Sequence, residues 1–369
     1  MQITRIKAEN FRNLESVEIF PDKRLNIITG KNAQGKTNLL EAIWLFTGCR
    51  SFRGSKEKDN IKLGCEFSNA EIDVNSQNRV NKFSYKVKKG AIKEKKVKIN
   101  GVEITKNSQL FERFMCIIFT PEDLELSKGS PDKRRNFLDL GISQIKPKYI
   151  GAINRYSKIL AQRNSMLKNH YDNSSYDFEI WDTQLCKLGA YISLMRLAYV
   201  KRLQIFCEEL YKKISGGESL KISLNSCILN NTSSTDEKEI YELYYKKMQE
   251  HLEEDKRLGF TTFGIHRDDL ITKINGLNSR DFGSQGQNRS IALCMKIAQA
   301  LIFSKECGET PVVLLDDVFS ELDSTRRKFI LNIVEDMQIF ITGCDANDIL
   351  KYKSGKIFYV ENGSYKALK

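Results

Sequence analysis

The feature that most constrains this chain is a glycine-containing stretch near its N-terminus. It matches the phosphate-binding pattern G-x-x-x-x-G-K-[ST], which requires a strand before it and a helix after it. Both are indicated, because the apolar run at 25–28 has strand length and the apolar residues of 38–43 recur at helical spacing. We therefore expect a phosphate-binding loop formed by Gly30, Lys31, Asn32, Ala33, Gln34, Gly35, Lys36 and Thr37.

The residue types in this loop each have a chemical reason. Gly30 and Gly35 let the backbone curl so that successive N–H groups point at a phosphate. Lys36 is expected to reach the β- and γ-phosphates as a point charge, and Thr37 to place its hydroxyl on Mg²⁺. The following helix adds its positive N-terminal end. The loop predicts a nucleoside triphosphate site; a glycine-rich turn that carries Lys-Thr by chance is the alternative.

Length and charge limit the classes of protein to consider. At 369 residues the chain exceeds one small core, so we expect two or more lobes. Its 59 lysines and arginines exceed its 47 aspartates and glutamates, for a net charge of +12. This balance favours a polyanionic partner such as nucleic acid. A genome biased toward lysine would produce the same balance without such a partner.

The cysteines and the hydropathy pattern indicate the compartment. Nine cysteines are scattered singly with no C-x-x-C pair, which argues for a reducing cytosol and against a zinc site or disulfide framework. No run of 18 apolar residues is present, and the N-terminus alternates charge and hydrophobicity instead of forming a signal peptide. We expect a soluble, cytoplasmic protein without a membrane partner.

The residues around the phosphate-binding loop predict β structure. Residues 2–8 and 15–20 alternate as a strand pair, and Arg12 lies in the turn between them, either solvated or next to a phosphate. Residues 86–106 contain eight lysines and two glutamates, so they form either a solvated face or one that contacts DNA. Further alternating stretches predict a small antiparallel unit; they are 70–74, 79–88, 95–99 and 113–119.

The middle of the chain changes to a helical pattern. From about 145 to 213, apolar residues keep three-to-four spacing, and a further amphipathic helix is expected at 236–254. A helical lobe is therefore inserted between the two ends of the chain. Strand character returns near 258–263, and the basic cluster at 133–135 is a second candidate for contact with DNA.

Two later segments complete a candidate site. Ser284 and Gly286 precede a helical pattern and could form an anion site without Lys or Mg²⁺ ligands, so it would need another subunit's nucleotide; an ordinary serine N-cap is the alternative. The apolar run 312–315 ends in Asp316-Asp317, where a parallel strand would hold Mg²⁺ and a second carboxylate could orient the attacking water. His266, a lone histidine without metal-ligand spacing, is assigned no catalytic role.

These segments together resemble the ABC-type ATPase heads of the SMC and RecF group, and within it the RecF family. The resemblance spans nearly the whole chain in family order. The matching segments are Asn10-Phe11-Arg12-Asn13, 30–43, Pro121-Glu122-Asp123-Leu124, 134–139, 264–269, Ser284-Gln285-Gly286-Gln287 and 314–323.

The resemblance implies an α/β fold: an ABC-type P-loop ATPase head, with a mixed sheet and an antiparallel β subdomain, and an inserted helical lobe. The head would comprise 1–120 and 258–369, and the lobe 121–257. Residues 30–37 would bind ATP, with Lys36 and Asp317 catalytic.

Four further residues have roles by the same resemblance. Thr37 and Asp316 would hold Mg²⁺, and Arg12 would touch phosphates in cis. Ser284 and Gln287 would contact the γ-phosphate across an ATP-dependent homodimer.

The family's function follows from the same resemblance. RecF-family proteins recognise gapped or junctional DNA and act with RecO and RecR to help RecA replace single-strand-binding protein. We expect an ATP-dependent DNA-binding protein of recombinational repair, with slow, switch-like ATPase activity. Thr342 departs from ABC transporters, which carry a switch histidine there, and Ile265 stands where the family usually has proline.

Three other functions are compatible with an ATPase head. An SMC-like structural chromosome-organising head is the main alternative, and the short inserted lobe speaks against it. A nuclease with an ATPase head would need an appended acidic metal-binding domain, and we expect no room for one after Asp323. The basic charge balance disfavours a transporter motor.

Overall fold

The computed structural model describes residues 1–49, 51–77, 79–90, 94–111, 113–169, 178–232, 234–343 and 354–368. They form two compact units, one of Met1–Glu125 with Arg289–Lys369 and one of Leu126–Asn288. Within the described residues no helix is long and apolar enough to cross a bilayer. The helical lobe was predicted at 121–257, so the second unit both begins and ends later in the chain than predicted.

The described residues form the following strands, numbered in chain order. They are β1 (Gln2–Phe11), β2 (Leu14–Ile19), β3 (Leu25–Thr29), β4 (Phe67–Ser76), β5 (Arg79–Lys88), β6 (Glu94–Ile99), β7 (Val102–Glu103), β8 (Cys116–Phe119), β9 (Leu220–Asn225), β10 (Asp269–Ile274), β11 (Leu277–Asn278), β12 (Val312–Leu315), β13 (Ile339–Gly343), β14 (Lys356–Glu361) and β15 (Ser364–Ala367).

The described residues also form the following helices, numbered in chain order. They are α1 (Lys36–Trp44), α2 (Pro131–Ile145), α3 (Pro147–Asn169), α4 (Glu179–Ser215), α5 (Glu237–Glu250), α6 (Leu252–Leu258), α7 (Ser279–Phe282), α8 (Gln285–Cys307) and α9 (Ser324–Ile333).

The central sheet of the first unit has the order β15-β14-β3-β13-β12-β8, and all neighbours are parallel except β14 and β15. Strands β3, β8 and β12 are buried along their whole length, as their largely apolar sequences require in a parallel sheet. The prediction that 113–119 joins the antiparallel unit is wrong. The strand there, β8, pairs with β12, because its four consecutive buried residues suit a sheet covered on both faces.

A second sheet of the first unit is antiparallel, with the order β2-β1-β4-β5-β6-β7. Its strands alternate buried and exposed residues, so one face packs on the core. Asn100 and Gly101 have φ values of +51° and +83°, as a two-residue hairpin turn requires. Helix α1 packs in the same core, where the rings of Phe46 and Phe83 lie 5.9 Å apart.

The second unit contains α2 to α6 and the sheet β11-β10-β9. Strand β10 pairs antiparallel with β9 from Asp269↔Asn225 to Ile274↔Leu220, which ties the chain beyond 257 to this unit. The prediction of a strand near 258–263 is wrong. In this segment the backbone N–H groups of Thr261 and Thr262 bond to side chains instead, to Asn164 at 2.8 Å and to Asp255 at 2.8 Å.

Candidate nucleotide site

The predicted phosphate-binding loop connects β3 to α1, as its sequence context requires. Gly30 has φ +149° and Gly35 has φ +115°, both in the region that favours glycine. A Cβ atom on Gly30 would lie 2.3 Å from the Val360 carbonyl oxygen. The two glycines of the pattern are therefore needed for the path of the backbone as well as for approach to a ligand.

Lys36 is the invariant basic residue of the pattern, and it lies on the inner side of the loop. Its side chain is 4% exposed, and its Nζ donates to the Gly30 carbonyl at 2.7 Å. Longer contacts of 3.4 Å join Nζ to the Lys31 carbonyl and to Asn32 Oδ1. These backbone and amide oxygens hold the ammonium group over the loop, where a bound phosphate would need it.

Thr37 and Asp316 meet at the carboxyl ends of parallel strands. The Thr37 hydroxyl donates to Asp316 Oδ1 at 2.9 Å, and the Thr342 hydroxyl donates to the same oxygen at 2.8 Å. Burial raises the pKa of Asp316 above its ordinary value, and the bonds from Thr342 and Thr37 oppose that rise. The pairing brings together the two residues that the sequence assigned to a metal.

This donor set fits Mg²⁺, which takes oxygen ligands in octahedral geometry. Two oxygens at adjacent vertices of an octahedron with bonds of about 2.0–2.1 Å lie about 2.9 Å apart. Thr37 Oγ1 and Asp316 Oδ1 have that separation, 2.9 Å. Carboxylate and hydroxyl oxygens are hard donors, so the pair can hold Mg²⁺ together with phosphate oxygens.

Asp317 is the next residue, and its backbone leaves the extended conformation of the strand. Its φ of +52° places it in the left-handed region, and its backbone N–H donates to Thr342 Oγ1 at 2.9 Å. Its carbonyl accepts from the Ser320 hydroxyl at 2.6 Å. Thr342, which the sequence indicated only as the residue at the position of a transporter switch histidine, thus contacts both residues of the acidic pair.

Arg12 pairs with a buried carboxylate on the helix that follows the loop. Its Nε and Nη2 lie 2.5 and 2.6 Å from the two oxygens of Glu41, which is fully buried. The hydroxyls of Ser51 and Ser55 also donate to Glu41, at 2.7 and 3.0 Å. The structure therefore fixes Arg12 beside α1, and its predicted contact with phosphate stays a prediction.

Glu41 and Arg53 are site residues that the sequence analysis did not single out. Arg53 Nη1 donates to Asn38 Oδ1 at 2.8 Å and lies 3.7 Å from Glu41. Its charge also lowers the pKa of Asp316, as the last of several causes. The sequence signal for this pair was the acidic residue Glu41 within the apolar stretch 38–43. A carboxylate buried there needs a cationic partner.

Ser284 and Gln287 are close neighbours at the start of α8. Gln287 N donates to Ser284 Oγ at 3.1 Å, and Ser284 N donates to Gln287 Oε1 at 2.8 Å. This reciprocal arrangement is a capping box. In this structure Ser284 therefore acts as a helix N-cap, which was the alternative interpretation of the sequence. Gln287 Nε2 also donates to Glu218 at 2.7 Å. Ser284 itself is exposed, so a second molecule can reach it.

The matching segment 264–269 has a structural role in the second unit. Arg196 binds the Ile265 carbonyl at 2.7 Å and Asp268 at 3.0 Å. His266 bonds to Tyr156 and the Thr261 carbonyl, and burial lowers its pKa to about 4. Its ring is therefore neutral and half-buried, and these contacts lie within the second unit.

The basic cluster at 133–135 is engaged within the second unit. Arg134 is buried and binds both oxygens of Asp269, at 2.7 and 2.8 Å. Arg135 donates to the Asp268 carbonyl at 2.7 Å. These two arginines support the fold around β10, which leaves little of the cluster for DNA.

The lysine-rich region forms part of the exposed face of the antiparallel sheet. We use the term lysine face for five side chains of β5 and β6 that are all exposed. Lys86 and Lys96 lie directly opposite each other in the register. Like charges at such positions destabilise a sheet, which favours a ligand-binding reason for them. Lys93 lies outside the described residues. The lysine face is Lys82, Lys86, Lys88, Lys96 and Lys98.

The fold and the site define an ABC-type P-loop ATPase head with an inserted helical unit, as the sequence predicted. The family model described as RecF/RecN/SMC N terminal domain matches residues 2–364. The DNA replication and repair protein RecF of Clostridium novyi (strain NT) is 37% identical over 99% of each chain. That of Thermoanaerobacter sp. (strain X514) is 38% identical over 98% of this chain and 99% of its own. The chain belongs to the RecF family.

Solved structures agree with this assignment. The recombination mediator protein RecF-ATPrS in the RecFOR pathway is 35% identical, with a TM-score of 0.92 over 100% of this chain and 98% of its own. The corresponding RecF-ATP structure is 36% identical, with a TM-score of 0.90 and the same coverage. An Smc head domain from Pyrococcus furiosus is 17% identical, with a TM-score of 0.58, and shares only the fold.

Proposed function

We propose that this protein is an ATP-switched DNA-binding protein of recombinational repair. The observation that carries the proposal is the complete phosphate loop with its Thr37–Asp316 pair, in a chain that matches RecF proteins along its whole length. As expected of a RecF protein, it acts with RecO and RecR in the cytoplasm and promotes RecA loading on single-stranded DNA. An SMC-like structural head remains the weaker alternative.

The residues of the loop divide the work on ATP between them. The N–H groups of 30–37 and the Lys36 ammonium bind the phosphates, and Lys36 also neutralises charge that develops during hydrolysis. Thr37 and Asp316 would hold Mg²⁺, which would screen the phosphate oxygens. Asp317 orients the attacking water. Because Thr342 replaces a switch histidine, we expect slow turnover that serves as a switch.

Two subunits complete the site. Ser284 is exposed at the N-terminal end of the long helix α8, whose N–H groups favour an anion. We assign Ser284 and Gln287 to the γ-phosphate bound by a second copy, so that ATP closes a homodimer. Arg12 supports the phosphates in cis from its pair with Glu41.

The lysine face is the proposed site for DNA in this head. Its side chains are exposed, they are not neutralised by ion pairs within the described residues, and they lie on one face of one sheet. Such an array suits the phosphate backbone of gapped or duplex DNA. It carries no means of reading base sequence, so structural preference must come from the shape of the DNA or from RecO and RecR.

The nucleotide and dimer steps are tested with two variants. Lys36→Met is expected to abolish ATP binding in calorimetry, because the phosphate charge loses its main counter-charge. Ser284→Arg is expected to bind ATP with unchanged affinity and to remain monomeric in sedimentation with Mg·ATP. A Ser284→Arg dimer as tight as the wild-type dimer would contradict the proposed sandwich.

The DNA step is tested by anisotropy of a gapped duplex at several salt concentrations. Lys86→Gln with Lys96→Gln is expected to reduce the slope of log affinity against log salt by about 2, since each phosphate contact contributes about 0.9. The matched control is Lys213→Gln with Lys256→Gln, which removes two exposed charges from the second unit. Equal slopes for both double variants would locate DNA binding elsewhere.

A further inference from the structure

The terminal hairpin β14–β15 contacts the outer side of the phosphate loop. Strand β14 runs parallel to β3, with Tyr359 opposite Thr29, so its end lies beside the start of the loop. The Tyr365 hydroxyl donates to the Gly35 carbonyl at 3.0 Å. In the hairpin turn, Gly363 N donates to the Gln34 carbonyl at 3.1 Å, and Asn362 N donates to Gln34 Oε1 at 2.6 Å.

Three successive carbonyls of the loop are held in this way. The Ala33 carbonyl accepts from Asn13 Nδ2 at 3.0 Å, and the carbonyls of Gln34 and Gly35 accept from the hairpin. In a planar trans peptide, the carbonyl of one residue points opposite to the N–H of the next. The N–H groups of 34, 35 and 36 therefore point away from these partners, which is the direction that phosphate binding requires.

The contact leaves no space for adjustment. A Cβ atom on Gly363, at φ +74°, would lie 2.3 Å from the Asn13 carbonyl oxygen. The same distance separates a Cβ atom on Gly30 from the Val360 carbonyl oxygen. The hairpin, the Asn13 turn and the phosphate loop thus pack backbone against backbone, so a shift of the hairpin moves the loop.

Tyr365 is well suited to this contact. Burial is the main cause that raises its pKa, followed by the charge of Asp316. Its hydroxyl therefore stays protonated and remains a donor. The Gly35 carbonyl also accepts from Leu39 N at 3.2 Å in the first turn of α1, so both bonds align the same peptide.

We propose that the terminal hairpin belongs to the nucleotide site, with Tyr365 and the Asn362-Gly363 turn as positioning residues that orient the loop N–H groups before ATP arrives. The inference rests on the proposed binding of ATP by residues 30–37. It predicts that changes in the hairpin weaken ATP affinity through the orientation of the loop.

The experiment compares two substitutions with two matched controls. Tyr365→Phe removes only the hydroxyl. Tyr359→Phe makes the same change on the same hairpin, where none of the described residues bonds to the hydroxyl. Gly363→Ala strains the turn against Asn13. Gly101→Ala adds the same Cβ at φ +83° in another Asn-Gly turn, with no atom within 4 Å.

The dissociation constant for Mg·ATP is measured by calorimetry, at a temperature where circular dichroism shows every variant folded. Tyr365→Phe is expected to raise it about two- to tenfold, the equivalent of one hydrogen bond. Gly363→Ala is expected to raise it further, and both controls to match the wild type. Hydrogen exchange over residues 31–38 should show less protection by ATP in Tyr365→Phe, a change that lower stability alone would not produce.

Each other outcome has one meaning. ATP affinities of Tyr365→Phe and Gly363→Ala equal to those of their controls overturn the inference. Equal losses in all four variants also overturn it, because the effect would then be a general weakening. If wild type fails to bind ATP, or Lys36→Met binds as tightly as wild type, the proposed function itself fails.

Discussion

Thr342→Val tests whether the polar centre of the site is built as described. Valine keeps the shape of threonine and removes the hydroxyl, which donates to Asp316 at 2.8 Å and accepts from Asp317 N at 2.9 Å. Thr342 is fully buried on β13, so water does not replace the lost partner. The substitution leaves one carboxylate oxygen with a single threonine donor and one backbone N–H without an acceptor.

The magnitude follows from these two bonds. A hydrogen bond to a charged group contributes about 1.5–3 kcal/mol and a neutral one about 0.5–1.5 kcal/mol. We expect the free energy of unfolding of the head to fall by about 2–4 kcal/mol. With a urea dependence of about 1–3 kcal/mol per molar, the midpoint should move down by about 0.7–4 M.

The assay can isolate the head because the two tryptophans lie in different units. Trp44 is buried in α1, whereas Trp181 lies in α4. In a Trp181→Phe background, fluorescence in urea reports unfolding around the phosphate loop alone. The same samples should show weaker Mg·ATP binding, because the loss of a donor raises the pKa of Asp316 further.

Thr342→Ser is the control for this substitution. It keeps the hydroxyl and loses one buried methyl group, for which about 1 kcal/mol is expected. If the valine variant is within about 0.5 kcal/mol of wild type, or is as stable as the serine variant, the hydroxyl does not have the role assigned to it.

Three further predictions concern buried groups. Asp316→Asn should stabilise the nucleotide-free head by about 0.5–2 kcal/mol and abolish Mg²⁺-dependent ATP binding. Because burial raises the Asp316 pKa, the wild-type protein loses stability as pH rises through that pKa, and the variant does not. Unfolding midpoints measured across pH would show the difference. Arg163→Met should cost the second unit about 3–5 kcal/mol, measured by Trp181 fluorescence, because it leaves the buried carboxylates of Asp182 and Asp255 without their cation. Gly264→Ala should cost at least about 2 kcal/mol in the same assay, since its Cβ at φ +140° would lie 2.5 Å from two tyrosine hydroxyls; a wild-type midpoint would contradict the described packing.

The predictable part of the fold consisted of segments whose pattern is local. The phosphate loop and the buried strand before Asp316 were both placed correctly, because they depend on neighbouring residues in the chain. The segment at 113–119 shows the limit of this reasoning. Its pattern indicated a strand, but its partner was wrong, since pairing with β12 is decided by residues almost 200 positions away.

The candidate site shows the same division. Lys36, Thr37 and Asp316 could be named from motifs whose chemistry requires them. Glu41 was not singled out, because its importance comes from Arg12 and two serines that the fold brings to one buried carboxylate.

The sequence by itself determined the class of this protein, the loop that receives phosphate and the strand end that can hold Mg²⁺, because those signals are short and each residue type has one chemical purpose. Only the tertiary structure decided that Thr342 bonds to both residues of the acidic pair and that the hairpin at 356–367 bonds to the loop. Tyr365 and Gly35 are 330 residues apart, and their contact exists only because β14 adds to the edge of β3. Such contacts have no local pattern, since they are stabilised by the register of a sheet that the whole first unit must form.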